Sequence, residues 1–292
     1  MRPVIELVLP WEPQGVTIIG DPHTFKTEAL TDLQRSDLQE AKDKGDLIVL
    51  WGDVTEWIVS SDLKRYNAKH NSEVDGYVNK MVRTLADFYE PFVNNIALMK
   101  LGNHETAFIK YHHVDPMALL IAELNRRRDQ ALEPIRYGGY TCWWIVKFIH
   151  KTANGDRNGS GSVKFWLHHG AGGAAPVTKG AIDRARIQDG IVGADVYVVG
   201  HHHTAVSIPT LKETCDDYGN VRRDIVDFIV VPGYSGWEQD APGLDGYTLD
   251  WPSENFYNLE MTGSVRIMLE PRNTSKDGRN RMYIKRTVET TN

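Results

Sequence analysis

Five short apolar runs in this chain each hand over to Asp, Asn or His side chains, and that repeated pattern narrows the folds open to it. Thr17-Ile18-Ile19 runs into Gly20-Asp21-Pro22-His23, and Ile48-Val49-Leu50 into Gly52-Asp53. Leu98-Met99-Lys100-Leu101 runs into Gly102-Asn103-His104-Glu105, Phe165-Trp166-Leu167 into His168-His169-Gly170, and Val196-Tyr197-Val198-Val199 into Gly200-His201-His202-His203. Runs this short and this apolar read as buried strands that deliver polar side chains at their carboxyl ends. All five are expected to point Asp, Asn and His at one rim.

The segments between them set the fold class. After Asp21, Leu30, Leu33, Leu38 and Ala41 recur at helical spacing over residues 27–44, and Gly45 supplies a stop. Ser72 with Asp75 opens a second helix through Val78, Met81, Leu85 and Phe88, which Pro91 ends. Asp115-Pro116 is a cap followed by proline at the first helical position, leading Leu119, Leu120, Ala122 and Leu124, with Arg126-Arg127-Arg128 in the last turn. Beyond this the pattern changes to paired strands. Residues 140–149 and 163–167 form a hairpin across the turn-rich segment 154–159, and a helix spans about 178–188. A second hairpin joins 206–211 to 225–231, residues 232–258 read as a long packed loop, and a last hairpin pairs 265–269 with 282–288. The chain therefore reads as α/β. It shows no internal repeat, low-complexity segment or linker, so residues 1–292 are expected to form one domain that includes the C-terminal hairpin 264–288.

Composition limits the partners. A formal charge of -6 over 292 residues rules out an overall basic protein, so any nucleic-acid contact must be local. Cys142 and Cys215 lack the spacing of a zinc knuckle or redox pair and read as free thiols. The apolar run Val4 to Leu9 is interrupted by Glu6 and closed by Pro10, short of a signal peptide or membrane span, so a cytoplasmic location is expected.

The polar residues suit metal chemistry. Asp21 and His23 alternate along an expected extended segment and so face one side, as do His201 and His203. Asp53 has two oxygens and can bridge two cations, and Asn103 offers a neutral carbonyl. Carboxylate, carbonyl and imidazole together suit Mn, Fe or Zn. Two divalent cations would outweigh Asp21, Asp53 and a bridging hydroxide, leaving a positive site that attracts a phosphate ester. Two metals roughly 3.5 to 4 Å apart activate water and clamp phosphoryl oxygens during in-line displacement.

The ordered set D-x-H, G-D, G-N-H-E, H and G-H-x-H, from Asp21 to His203, resembles the calcineurin-like metallophosphoesterase family. The resemblance implies two facing mixed β-sheets flanked by helices and two divalent metals, Mn foremost. It implies Asp21, His23, Asp53 and His203 on one metal, and Asp53, Asn103, His168 and His201 on the other, with His169 pointing elsewhere or toward substrate. His104 falls on the family's catalytic histidine, which can protonate the leaving oxygen. Glu56 stands three residues after Asp53, where many members carry an Asp that hydrogen-bonds this histidine. The sequence Gly52-Asp53-Val54-Thr55-Glu56-Trp57 departs from the G-D-x-V-D-R-G of the protein Ser/Thr phosphatase branch, which is thereby disfavoured.

The expected activity is hydrolysis of phosphate esters on small or nucleotide-like substrates, as phosphodiesterase or phosphatase. A nuclease of the same fold would need Arg126 to Arg128, Arg222-Arg223 and Arg279, Arg281, Lys285 and Arg286 to form one stripe with the rim. A metal-binding scaffold without turnover is the third alternative. Gly170, Gly172 and Gly173 with Lys179, Arg184 and Arg186 can serve either as a phosphate-side contact or as simple turn geometry. His112 and His113 read as solvated loop, and Trp143 and Trp144 as core plus one exposed ring.

Overall fold

The computed structural model describes residues 2–25, 29–57, 76–151, 154–155, 157–171, 187–215, 217–234, 262–276 and 279–290. Two six-stranded mixed sheets face each other, as expected. The first contains β2 (Gln14–Ile19), β3 (Leu47–Leu50), β4 (Ile96–Met99), β5 (Arg136–Tyr137), β11 (Ser264–Lys276) and β12 (Arg279–Thr290), in the order β12-β11-β2-β3-β4-β5. The second contains β1 (Val4–Pro10), β6 (Thr141–Lys151), β7 (Arg157–His168), β8 (Val196–Val199), β9 (Val206–Cys215) and β10 (Val221–Val230), in the order β1-β6-β7-β8-β10-β9. The complete α-helices among the described residues are α1 (Thr31–Asp43), α2 (Tyr77–Tyr89), α3 (Asn103–His112) and α4 (Pro116–Arg127).

Side-chain alternation builds the layers. Along β3, Ile48 and Leu50 turn toward α1, α2 and α4, while Val49 and then Trp51 enter the core between the sheets. A parallel strand covered on both faces needs such a continuous apolar run. In the second sheet Cys142, Trp144, Val146 and Phe148 of β6 and Val163, Phe165 and Leu167 of β7 face the inter-sheet core. Trp166 and Tyr197 point to the other side, where Trp143, Ile187 and Ile191 pack on them. Of the tryptophan pair, Trp144 is thus buried and Trp143 only half-buried.

β2, β3 and β4 run parallel, and so do β7 and β8. Their carboxyl ends therefore open on shared rims. The N-terminal run Val4–Pro10, read above only as too short for a leader, pairs in parallel with β6 as an edge strand. α3 is not evident in the sequence because its polar opening, Asn103-His104-Glu105, reads as loop; its Phe108 sits in the helix-side core, with Ile109 packed against it. The proposed caps Ser72 and Asp75, most of the helix at 178–188 and most of the loop at 232–258 lie outside the described residues, although residues 187–190 are helical. Among the described residues no helix is long and apolar enough to cross a membrane.

The start of α4 follows the sequence reading in detail. Asp115 Oδ1 accepts the Ala118 N–H at 2.9 Å, and Asp115 Oδ2 accepts the Tyr137 hydroxyl at 2.7 Å. Asp115→Ala is expected to destabilise the fold by about 1 kcal/mol through loss of the cap, whereas Asp115→Asn retains most of that stability. Urea denaturation midpoints check the order.

Candidate metal centre

Five ligand-type residues sit on backbone that side chains rarely adopt. Asp21 has φ 30°, His23 43°, Asp53 56°, His201 70° and His203 51°. The expectation that Asp21 and His23, and likewise His201 and His203, share a side by alternating along extended chain is therefore incorrect. Each pair lies on left-handed turns that follow the strand. Such backbone costs roughly 1–3 kcal/mol per residue and persists where the surroundings over-determine it.

Loop-to-loop hydrogen bonds supply those surroundings. His23 N–H donates to Asp53 O at 2.9 Å and Thr24 N–H to Val54 O at 2.7 Å, joining the loops after β2 and β3. Gly200 N–H donates to His169 O at 2.8 Å, joining those after β7 and β8. His201 N–H donates to Asp21 Oδ2 at 2.5 Å and so links the two sheets. At the β3–β4 junction a Cβ on Gly102 would lie 2.0 Å from Asp53 Oδ1, and one on Gly52 2.0 Å from Gly102 N. Only glycine at both positions lets the two loops close on each other.

Glu105 completes this junction, and the sequence reading gave it no role. Its Oε2 accepts Asp53 N–H and Gly102 N–H, both at 2.8 Å, and its Oε1 accepts Val54 N–H at 2.9 Å and Trp57 Nε1–H at 3.0 Å. The only sequence signal for this is its position in the first turn after Gly102, where an acidic side chain can reach back to the chain entering a helix. Burial and the nearby Asp53 push its carboxyl up to about 7, while those N–H donors favour the charged form.

Among the described residues, two groups of side chains could hold a metal ion: Asp53, His169 and His201, and His23, Glu56 and His104. His169 Nε2 lies 3.0 Å from Asn103 Oδ1 and 3.3 Å from Asp53 Oδ2, and its Nδ1 lies 3.5 Å from Asp21 Oδ1. His203 Nε2 is 3.9 Å from Asp21 Oδ2, and its ring stands 5.3 Å from that of His23. Asp21, His23, Asp53, Asn103, His201 and His203 thus gather at one place.

His168 does not join them. Its ring stacks on Trp166 at 5.3 Å, and its Nδ1 accepts the Gly170 N–H at 2.9 Å. The choice of His168 over His169 is corrected by strand parity: Phe165 and Leu167 face the inter-sheet core, so residue 169 continues on that side while 168 follows Trp166 outward. That parity was present in the sequence.

Glu56 reaches His104, with Oε2 3.1 Å from its Nδ1, and also His23, with Oε1 2.8 Å from its Nδ1. The contact with His104 follows the expectation; the one with His23 was not foreseen. His104 N–H donates to Asp53 Oδ1 at 2.8 Å, which places the start of α3 directly on that carboxylate.

The electrostatics favour a cation. Burial, then the neighbouring Asp53, holds the Asp21 carboxyl well above the usual carboxylate range. Burial alone would raise Asp53 too, but the hydrogen bond and charge of His169, with His104 and His23, hold it below that range. Burial lowers His169, against the opposing hydrogen bond and charge of Asp53. Asp21 Oδ1 and His169 Nδ1 are buried without a hydrogen-bond partner. A buried carboxyl oxygen and imidazole nitrogen left so beside Asp53 are a setting a metal ion can satisfy, and the oxygen and imidazole donors fit Mn, Fe or Zn.

No family model and no curated protein matches the sequence. Among solved structures, the chain is similar to the Thermotoga maritima protein TM1076, determined by solution NMR, with 13% identity, a TM-score of 0.30 and coverage of 93% of this chain and 98% of that one. It is also similar to GAP50, described as the anchor in the inner membrane complex of Plasmodium, with 11% identity, a TM-score of 0.43 and coverage of 96% and 89%. At this degree of likeness neither neighbour bears on what the site does.

Glu105→Gln leaves one acceptor oxygen for four buried N–H groups and sets an amide donor against two of them. It is expected to destabilise the protein by about 3 kcal/mol, read as a lowered urea midpoint.

Proposed function

We propose that this protein hydrolyses phosphate esters at a centre of two divalent metals, Mn foremost. The observation that carries the reading is the cluster of Asp53, His169 and His201, whose ligand atoms lie within 4.8 Å of one another, beside a buried Asp21 Oδ1 that has no hydrogen-bond partner. Asp21, His23, Asp53 and His203 would hold one ion, and Asp53, Asn103, His169 and His201 the other, with Asp53 shared. Bound there, such ions supply hydroxide at neutral pH and polarise phosphoryl oxygens.

The chain's own residues do the rest. The amino end of α3 carries a partial positive charge that suits an anion, and His104 stands in its first turn. Glu56 holds the His104 ring by Nδ1, and that imidazole can pass a proton to the leaving oxygen.

The nuclease reading draws less support. Arg127 is paired with Asp87, Glu90 and Glu123, and Arg128 is buried on the carbonyls of Val93 and Ile96. Arg126 pairs with Glu123, Arg223 with Glu213, Lys285 with Glu270 and Arg286 with Asp227. The side chains of Arg279 and Arg281, and Gly172, Gly173, Lys179, Arg184 and Arg186 altogether, lie outside the described residues.

A panel of a bis-aryl phosphate, an aryl monophosphate, cyclic nucleotides and single-stranded DNA, assayed with Mn, tests the reading. Cleavage of none by metal-loaded protein would leave a scaffold. Cleavage of DNA with binding that falls steeply with salt would instead support the nuclease. Elemental analysis after Mn loading should show that His169→Ala loses metal and His168→Ala does not.

Glu56→Gln is expected to keep its metal and to slow hydrolysis of alkyl esters on the order of 10²-fold or more, while nitrophenyl esters, which need little proton assistance, change far less. Equal slowing of both with lost metal would assign Glu56 to the metal shell through its contact with His23.

A further inference from the structure

Lys100 is a fully buried cation that the proposed chemistry does not use. It follows β4 and stands three residues before Asn103. Its Nζ donates across the sandwich to Gly139 O and Tyr140 O, both at 3.2 Å, and lies 3.4 Å from Leu167 O. Tyr140 O also accepts the His169 N–H at 3.1 Å, so the ammonium and the His169 backbone share one carbonyl. Nζ also stands 5.2 Å from the ring of Trp51, two residues before Asp53. Three ligand-bearing loops, those of Asp53, Asn103 and His169, thus have their stems on one side chain.

We infer that Lys100 is a positioning residue for the metal centre, its ammonium fixing the stem of the His169 loop against the stems that carry Asp53 and Asn103. The inference rests on the metal-centre reading above. A core position between two sheets is ordinarily filled by an apolar side chain, and burying an ammonium there opposes folding. Burial lowers it to about 8, so it is charged at neutral pH, and Cys142, with Sγ 4.0 Å away, is itself a buried thiol pushed upward by burial. A charged donor can hold several carbonyls at once, which a methionine of similar length cannot. Partners that orient ligands in this way are worth about 10- to 100-fold in metal affinity.

The test uses whole protein stripped with a chelator and titrated with Mn by calorimetry, beside unfolding without metal. Wild type should take up two equivalents. Lys100→Met should weaken one of the two about 10- to 100-fold and leave the other nearly unchanged, and in a His169→Ala background it should add little further loss. Lys100→Gln, which keeps N–H donors, should recover part of the affinity, and it serves the same comparison should Lys100→Met not fold. A role confined to stability would lower the unfolding midpoint, leave Mn affinity as in wild type and persist undiminished in the His169→Ala background; that result overturns the inference alone. Wild type that takes up no Mn overturns the metal centre itself.

Discussion

The carboxylate of Glu105 is the interaction on which the rim of this molecule depends. Parallel strands end with backbone N–H groups and no next strand to satisfy them, and β3 and β4 end side by side in the interior. Glu105 accepts from Asp53, Val54, Gly102 and the Trp57 indole and so closes both loops with one side chain. The bare backbones of Gly52 and Gly102 make that closeness possible. Asp53 is held as a consequence, its N–H by Glu105 and its Oδ1 by the His104 N–H.

A rim so fixed can carry strain and unbalanced charge. Left-handed backbone at Asp21, His23, Asp53, His201 and His203 turns their side chains inward where extended chain would send them along the strands. Burial then acts on two carboxyls in opposite company. Asp53, among His169, His104 and His23, is held ionised; Asp21, with Asp53 as its neighbour, is pushed toward protonation. A cation between them would remove the conflict, so that binding and folding would favour the same arrangement, with the strain placed where a ligand offsets it.

Much of this was legible in the sequence, and the failures have physical causes. The individual strands followed from apolar run lengths and the two facing sheets from the family resemblance, the Asp115 cap from its proline, and the hairpins from their turn residues. α3 was hidden because polar candidate-site and capping residues occupy its first turn. The edge strand β1 was hidden because its pairing with β6 lies far along the chain. The role of Glu105 depends on donors some fifty residues away, and Lys100 looked like an ordinary interruption of an apolar run. Neither can be read from local pattern.

The exchange of His168 for His169 is the most instructive of these, since the information was local. The end of β7 follows a period of two, with Val163, Phe165 and Leu167 inward and Trp166 outward. His168, still within the strand, obeys that rule and stacks on Trp166. His169 obeys it too, and its N–H donates to Tyr140 O where the ladder with β6 gives out. A residue just past a strand inherits the strand's parity while its backbone remains paired, and loses it only when left-handed backbone intervenes. That separates the two ends of the site: parity predicts His169, whereas His201 and His203, placed on left-handed turns after β8, lie beyond its reach and are located only by contacts between loops.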